Sequence, residues 1–548
     1  MSKYIAKILA FFILLNLVSY QLYKRFDLTQ DQRYSFSKTT KDVLDKIDKP
    51  LAINIYLEGD FPLDFKRLQT ETEQILQEYS LLNKNIIYRF INPLTDKDLG
   101  QDLIKKGFQP SRLTIQDKGE ISEKVIFPWA EINYNGKLQK VNLLPESQSF
   151  SQSEQINHAI SKLEYSFTDA FTKISQAKKY NIAVLKGNGE LDDLHLYSFL
   201  KSLGSYYNLA PFTLDSVSSQ PQKTLIELVN FDLLIIAKPS QKFSEAEKYT
   251  LDQYIMNQGK TLWLLDQVQA DLDSLAEQEG ELLAFPNDLN LTDLLFSYGI
   301  RPSYDLVLDL YAAKIRLASG EVNGKPQYQN FDWPYFPLIT SDNDHPITNQ
   351  IAPVQLKFST AIDTLKNKIS KQVLLQSSNL SKKVGTPRLV SLQELNAIEK
   401  DTYTNGNQIL GILLSGEFNS AYSGRVKPYN WKGNQDLSAQ NSMIIIADGD
   451  IGSNQIYQNR PTDLNQNFLT GEQFGNKDFL LNSVNFLLGD TGLLSLRSKT
   501  LKISFLDKEL VVKTSVFWQV LNVIAPLVIL LLFGLGFRFY RKLKYART

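Results

Sequence analysis

The sequence predicts an α/β protein that is anchored in a membrane at both ends. Residues 516–537 form a run of 22 residues without a charge. As a helix rising about 1.5 Å per residue, this run spans a hydrocarbon core about 30 Å thick. Residues 8–18 form a second apolar segment, preceded by Lys3 and Lys7. Between the two segments, short apolar runs alternate with helical patterns, which is typical of sheets covered by helices.

Composition sets the class of the protein and excludes several kinds of chemistry. At 548 residues the chain is long enough for about two to four domains. Its 59 Lys and Arg residues balance 59 Asp and Glu residues, so nothing indicates nucleic-acid binding. The absence of cysteine excludes disulfides, thiolate nucleophiles and cysteine-ligated zinc. Because His158, His195 and His345 lack metal-ligand spacing, we expect neither a metal nor another cofactor.

The two chain ends define the predicted topology. Residues 1–25 are interpreted as an N-terminal transmembrane signal anchor, because no small-residue cleavage site follows the apolar core; a cleaved signal peptide is the alternative. Residues 513–537 are assigned to a C-terminal transmembrane helix and 538–548 to a basic tail. Basic residues beside a span stay on the cytoplasmic side. We therefore expect both termini in the cytoplasm and the large body outside it.

Residues 26–150 are expected to form a small α/β domain. Residues 51–91 read as strand, helix and strand, which predicts a parallel β-α-β unit. Asn135-Gly136 between two alternating stretches predicts a tight hairpin. The order of elements resembles a thioredoxin-like fold, in which Pro110 would take the cis-proline position. The chain has no Cys-x-x-C, so the resemblance implies the fold without redox chemistry.

A connecting helix, residues 151–178, leads into a second α/β domain, residues 179–512. Its clearest stretch is FDLLIIAKPSQKFSEAEKYTLDQYIMNQGKTLWLLD, residues 231–266. It reads as a buried strand, a helix opened by a capping box at Ser244 and Glu247, and a second buried strand. The stretch resembles the glutamine-amidotransferase-like (flavodoxin-like) fold with a parallel sheet. That family's enzymes need a cysteine nucleophile, so the resemblance implies the fold without the reaction.

The remainder of the second domain carries weaker signals. Residues 333–337 (WPYFP) are expected to form an aromatic loop, either packed or exposed as a contact patch. The polar stretches 382–404 and 419–440 are interpreted as loops or linkers. Residues 478–488 predict a helix, and residues 493–513 are expected to form strands that lead to the membrane.

Five residues mark a candidate ligand edge, because each is expected at the carboxyl end of a strand, where open α/β sheets bind ligands. They are Gly187, Glu190, Asp266, Glu417 and Asp448. The loop at 187–190 lacks G-x-G-x-x-G and a Walker lysine, which argues against nucleotide binding. The carboxylates at 448–450 could hold a cation, or they could be solvated loop residues. No catalytic residue can be assigned.

Three stretches of the sequence form a further pattern: DLTQDQRYSFSKTTKDVL at 27–44, INIYLEGDFP at 53–62 and NKDFLLN at 476–482, with Arg497 beyond. Together with the two terminal apolar segments, they make the layout similar to the GldG family, the gliding-motility-associated ABC-transporter accessory proteins of Bacteroidetes. The resemblance implies a complex with an ABC permease subunit and an ABC ATPase subunit. It also implies a place in the bacterial inner membrane with the body in the periplasm.

The sequence therefore predicts a non-catalytic, membrane-anchored accessory subunit of substrate-binding type in an ABC transporter complex, with a role in gliding. Two alternatives stay open. A degenerate hydrolase acting on envelope material would use the carboxylates at the strand edge. A small-ligand-binding protein of the envelope would hold a solute at the same edge or between the domains.

Overall fold

A computed structural model describes residues 35–117, 120–144, 152–278, 280–322, 324–340, 345–497 and 508–545. These residues fall into two units, residues 35–497 and residues 508–545. The predicted N-terminal anchor, residues 1–25, lies outside the described residues. The fold is mixed α/β, with parallel and antiparallel sheets.

The first part of the larger unit contains a four-stranded sheet and a two-stranded hairpin. The strands are β1 (Leu51–Ile55), β2 (Ile86–Phe90), β3 (Ser111–Asp117), β4 (Glu120–Ile126), β5 (Trp129–Tyr134) and β6 (Lys137–Asn142). The helices are α1 (Lys38–Leu44), α2 (Leu63–Leu82), α3 (Lys97–Lys105) and α4 (Gln152–Ser175). The sheet order is β2-β1-β5-β6, and β3 pairs with β4 alone.

The predicted β-α-β unit is confirmed, because β1 and β2 pair in parallel across α2. The predicted hairpin is confirmed too: β5 and β6 are antiparallel, and Asn135 and Gly136 between them have φ of 51° and 79°. Both angles lie in the left-handed region that such two-residue turns require. The cis-proline expectation is wrong, because among the described residues the one cis peptide bond precedes Pro387, and the bond before Pro110 is trans.

Helix α4 closes the first part. Its Glu164 accepts hydrogen bonds from the backbone of Ser37 and the hydroxyl of Thr40, at 2.9 and 2.7 Å, so it holds the start of α1. Its Phe171 packs edge-on against Tyr79 of α2. These contacts give the small sheet a shared apolar core with α1, α2 and α4.

The second part of the larger unit is built on a seven-stranded sheet. Its strands and those of the smaller sheets are β7 (Asn181–Lys186), β8 (Asn208–Thr213), β9 (Leu233–Ala237), β10 (Lys260–Leu264), β11 (Val268–Gln269), β12 (Glu281–Pro286), β13 (Ile300–Asp309), β14 (Ala312–Val322), β15 (Lys325–Ile339), β16 (Val354–Gln355), β17 (Thr360–Thr364), β18 (Ser370–Gln376), β19 (Ser381–Val384), β20 (Arg388–Ser391), β21 (Ile409–Asn419), β22 (Leu437–Ile446), β23 (Ile456–Tyr457) and β24 (Arg460–Pro461). The helices are α5 (Tyr197–Gly204), α6 (Pro221–Val229), α7 (Glu245–Met256), α8 (Leu272–Glu277), α9 (Thr292–Ser297), α10 (Asn476–Leu487) and α11 (Thr491–Arg497).

The order of the large sheet is β18-β21-β22-β10-β9-β7-β8. The five strands from β22 to β8 are parallel, whereas β21 and β18 are antiparallel additions at one side. The prediction of a parallel sheet is therefore corrected to a mixed one. Alternation along β9 sends Leu233 and Ile235 into one core cluster and Leu234 and Ile236 into the other, so the sheet is covered on both faces as expected.

The predicted capping box is present at the start of α7, where Ser244 and Glu247 bond each other's backbone. The stretch 333–337 is not a loop, because it lies in β15, and it is not a contact patch, because Trp333, Tyr335 and Phe336 are buried. Its side chains pack in a satellite core beneath the hairpin of β14 and β15. The aromatic side chains of this stretch are therefore core residues.

The end of the chain differs from the prediction. Residues 491–497 form helix α11 instead of a strand, and its Leu493 and Leu494 are buried. The second unit is one helix, α12 (Lys508–Tyr545), so residues 508–513 are helical too. Phe517–Tyr545 within it is long and apolar enough to cross a membrane, and none of its most apolar window is buried in the protein.

Candidate functional site

The candidate site lies where neighbouring parallel strands end. In the order β22-β10-β9-β7, four adjacent parallel strands run into loops that begin with or soon reach a polar residue. Asp448 follows β22, Asp266 follows β10, Lys238 follows β9 and Gly187 follows β7. The carboxyl ends of parallel strands meet at one edge of a sheet, and that edge is where α/β folds place ligand sites.

A lysine joins three loops at this edge. The Lys238 ammonium lies 2.5 Å from Asp450 Oδ2 and 3.5 Å from Asp266 Oδ2. All three side chains are largely buried, with exposed fractions of 23% for Lys238, 9% for Asp266 and 12% for Asp450. Lys238 adopts a left-handed backbone conformation with φ of 54°, and its N–H donates to the carbonyl of Leu264. The lysine is thus held by backbone geometry as well as by charge.

The carboxylates of Asp448 and Asp266 accept hydrogen bonds from backbone N–H groups. Asp448 is fully buried and accepts the N–H of Lys357 on Oδ2 and that of Asp450 on Oδ1, both at 2.7 Å. Asp266 accepts the N–H of Gly449 on Oδ1. These bonds fix the loop after β22 against the loop after β10.

The pKa values of Asp266, Asp448 and Lys238 are all shifted in this cluster. Burial raises the pKa of Asp266 to about 7, helped by the charge of Asp450 and opposed by Lys238. Burial also raises the pKa of Asp448 well above its usual range, with repulsion from Asp266 adding to it. For Lys238, burial disfavours the charged form, but the attraction of Asp450 and Asp266 outweighs burial and raises its pKa. The arrangement can therefore keep a proton among the carboxylates near neutral pH.

Gly449 makes the close packing of this cluster feasible. A Cβ at this position would lie 2.6 Å from Lys238 Cγ and 3.0 Å from Asp266 Cγ. Its φ is −75°, so the backbone itself does not call for glycine. Glycine is therefore required here because there is no room for a side chain.

The loop after β7 belongs to the same edge. The Asn188 carbonyl accepts the N–H groups of Ser240 and Gln241, which ties this loop to the one after β9. Glu190 accepts the N–H of Asn188 on Oε2 at 2.9 Å, while its Oε1 is buried without a hydrogen-bond partner among the described residues. Burial raises the pKa of Glu190. Gly187 has φ of 112°, in the range that favours glycine.

Glu417 does not join this group. It lies inside β21, opposite Gln440 at the start of β22, whereas Asp448 follows the other end of β22. Because β21 runs antiparallel to β22, its carboxyl end lies at the opposite edge of the sheet. Glu417 is exposed there. The structure thus brings together the loops carrying four of the five predicted residues and leaves Glu417 apart.

The sequence prediction did not include two residues of this cluster, Lys238 and Lys357. Lys238 is the first residue after the predicted strand FDLLIIA. The rule that placed Asp266 at the carboxyl edge of the sheet therefore also predicts Lys238 there. Lys357 has no comparable signal, because it lies outside any strand, two residues after the two-residue β16. Within the described ranges, no group of three His, Asp or Glu residues is arranged to hold a metal ion.

A cavity of about 270 Å³ adjoins the cluster at Asp450. Its walls come from the hairpin of β14 and β15, from β16, and from the segment that follows β22. The lining combines apolar side chains with several carboxamides and charged groups. The cavity shares Asp450 and Lys357 with the loops and hydrogen bonds of the strand-edge cluster.

The comparisons with known proteins match this architecture to a transport class. A family model described as an ABC-type uncharacterized transport system, ABC_transp_aux, matches residues 179–483, more than half of the chain. The chain belongs to this family, and it is an accessory component of an ABC-type transport system whose action implies transporter partners.

Other comparisons are less informative. A domain of unknown function, DUF7088, matches residues 30–133. No curated protein matches the chain. A solved structure described as "mmIFT52 N-terminal domain" covers 59% of this chain and 100% of its own at 14% identity, with a TM-score of 0.31. That likeness is too distant to define the fold.

Proposed function

We propose that the protein is a non-catalytic, membrane-anchored accessory subunit of an ABC transporter, working with a separate permease and a separate ATPase. The observation that carries the proposal is the pairing of the transport-system family with an exposed apolar helix, Phe517–Tyr545. A helix that is apolar on all sides and unburied needs lipid or another membrane helix around it.

The basic residues at the end of α12 indicate the orientation of the chain in the membrane. Arg538, Arg541, Lys542 and Lys544 extend α12 beyond its apolar part, and such residues stay in the cytoplasm. With residues 1–25 as a second anchor, both termini would be cytoplasmic and the body periplasmic, at the bacterial inner membrane. In this arrangement α12 is a docking helix for the permease as well as a tether.

The finer relationships are part of the same proposal. We place the chain in a GldG-like group of Bacteroidetes and assign it a role in gliding motility, on the word patterns at 27–44 and 476–482. The order β2-β1-β5-β6, with a parallel pair and an antiparallel hairpin, supports a thioredoxin-like domain at 26–150. The five parallel strands support an amidotransferase-like domain at 179–512, linked through residues 151–178.

The strand edge would be the ligand-sensitive part of this subunit, through Gly187, Glu190, Asp266 and Asp448. A second candidate function, a degenerate envelope hydrolase, is favoured by one observation: Glu190 and Asp266 are both acids of raised pKa at this edge. Alanine at Glu190, Asp266 and Asp448 would abolish that function in proteins that still fold. Unchanged function in all three variants would end the hydrolase hypothesis.

The proposal is tested by affinity purification from native membranes in mild detergent, followed by mass spectrometry. The full chain should recover an ABC permease and an ABC ATPase. A matched control ends at residue 507 and lacks α12; the anchor at residues 1–25 should keep it at the membrane, but without the docking helix it should recover neither partner. Failure of the full chain to recover either partner would contradict the proposal, as would equal recovery by the truncated chain.

A further inference from the structure

The cavity beside Asp450 has the size of a small-molecule site. A cavity of about 150 Å³ holds benzene, so the volume of about 270 Å³ here has room for a molecule nearly twice that size. One side is apolar, with Ile315, Phe336 and Phe474 in the wall. A ligand that fills it must therefore carry an apolar body of modest length.

Two polar side chains enter the cavity from one segment. Residues 354–358 run along β15, with the N–H groups of Leu356 and Phe358 donating to the carbonyls of Pro337 and Tyr335. Val354 and Leu356 are buried in the core cluster beneath the sheet. Alternation along extended backbone then turns Gln355 and Lys357 to the other side, where both line the cavity.

These two side chains lack partners within the part of the chain that the structure describes. The Gln355 side chain is more than nine-tenths buried, and its hydrogen bonds at 2.9 and 2.7 Å to Asn476 use only its backbone. The Lys357 ammonium has neither an ion pair nor a hydrogen bond there, since only its backbone N–H is used, by Asp448. The Gln355 carboxamide lines the cavity, where a ligand or water can complete its hydrogen bonds.

The other charges around the cavity are accounted for differently. Asp450 is paired with Lys238 and Asp463 with Lys477, each at 2.5 Å. Lys314 lies near Glu472 at 4.0 Å. Arg316 donates to the Leu469 carbonyl and stacks over Tyr328, and Asp273 is exposed. Lys357 is therefore the half-buried cation that is open to a counter-charge.

We propose that this cavity binds a small carboxylate with an apolar body. The carboxylate pairs with the Lys357 ammonium and accepts a hydrogen bond from Gln355 Nε2, and the apolar body lies against Ile315, Phe336 and Phe474. This site is additional to the role of an accessory subunit, and it lies next to the loop after β22. A bound ligand would therefore contact the same segment that carries Asp450.

The test uses the full chain in lipid nanodiscs, with empty nanodiscs as the blank, and calorimetry or saturation-transfer NMR. The probes are 3-phenylpropionate and its neutral isostere 3-phenylpropanamide. The wild type should bind the acid at least tenfold more tightly than the amide, because the amide keeps a carbonyl acceptor but lacks the negative charge that pairs with the Lys357 ammonium. Lys357→Gln should abolish that preference.

Two variants keep the result interpretable. Lys366→Gln removes an exposed lysine of the turn between β17 and β18 and should leave the acid preference intact. Leu317→Trp places a larger side chain in the cavity wall while keeping Lys357, and it should abolish binding of both probes. The proposal is overturned if the wild type shows no saturable binding of the acid at millimolar concentrations, if it binds both probes equally, or if a folded Lys357→Gln variant keeps the preference. None of these outcomes bears on partner recovery, which tests the accessory role.

Discussion

Lys238 and Asp450 form an ion pair of 2.5 Å although 212 positions separate them in the sequence. The pair joins the loop after β9 to the loop after β22, with the loop after β10 between them through Asp266. Buried ions lose hydration, so such a pair is retained only where geometry and further hydrogen bonds compensate. Here Asp266 Oδ2 adds a second carboxylate oxygen 3.5 Å from the ammonium. The backbone N–H groups of Gly449, Asp450 and Lys357 donate to the neighbouring carboxylates of Asp266 and Asp448.

Removing the lysine should destabilise the body strongly. We expect Lys238→Met to lower the free energy of unfolding by about 3–5 kcal/mol, because Asp266 and Asp450 would be left as buried charges without a counter-ion. Thermal unfolding of the full chain, followed by the fluorescence of buried Trp263 and Trp333, measures the change.

A matched control lies on the same loop. Lys242 pairs with Asp288, also at 2.5 Å, but both side chains are more than half exposed. Lys242→Met should therefore cost about 1 kcal/mol or less. Equal losses in the two variants would mean that the burial of the Lys238 cluster carries no energetic weight.

The raised pKa of Asp266 makes stability depend on pH. The folded protein keeps this proton up to a pH of about 7, whereas an unfolded aspartate releases it near its ordinary value of 3.8. Between those values the folded state binds more protons, so stability should fall as pH rises, by about 1.4 kcal/mol per pH unit at most for one proton. Unfolding curves at pH 5, 6, 7 and 8 measure the slope.

The variant Asp266→Asn isolates that contribution. It carries no titrating proton, so its stability relative to the wild type should increase from pH 5 to pH 7 and then level off. Groups outside the cluster titrate in both proteins and cancel in the difference. Parallel profiles for the two proteins would show that Asp266 titrates normally.

Gly449 offers a test of packing at the edge. Gly449→Ala places a methyl group 2.6 Å from Lys238 Cγ and should cost about 1–3 kcal/mol, because the lysine must leave Asp450 to make room. Gly204→Ala is the control: its methyl meets nothing closer than 3.8 Å, near the end of α5, and should be neutral or stabilising. Loss of stability in both variants alike would argue against a specific clash at the cluster.

The sequence predicted the strands of the large sheet well, because β9 and β10 are continuous apolar runs bounded by turns. It predicted a parallel sheet, which holds for the five strands from β22 to β8 and fails for β21 and β18. The strand at 409–419 reads the same whether it runs parallel or antiparallel, so Glu417 was placed at the wrong edge. The prediction of a loop at 333–337 was also wrong. Two prolines are typical of a loop, but the pairing of β15 with β14 and β16 tolerates them.

The site was predictable only in part. Asp266 and Asp448 follow buried strands, so the edge rule found them. The ion pair of Lys238 with Asp450 and the approach of Lys357 depend on contacts across 212 and 91 positions, which no local pattern encodes. The cavity depends on the hairpin of β14 and β15 and on the segment after β22. Asn323-Gly324 in the sequence indicates the hairpin, but no local pattern indicates that the two parts enclose a cavity.

The central claim is that this chain acts as part of an ABC transporter whose ATPase is a separate subunit. The most direct measurement is ATP hydrolysis by material captured on the tagged full chain from native membranes, compared with the same chain purified alone. We predict hydrolysis by the captured material, none by the chain alone, and loss of captured activity when α12 is deleted. A captured full chain without ATPase activity, recovered with neither a permease nor an ATPase, would contradict the account.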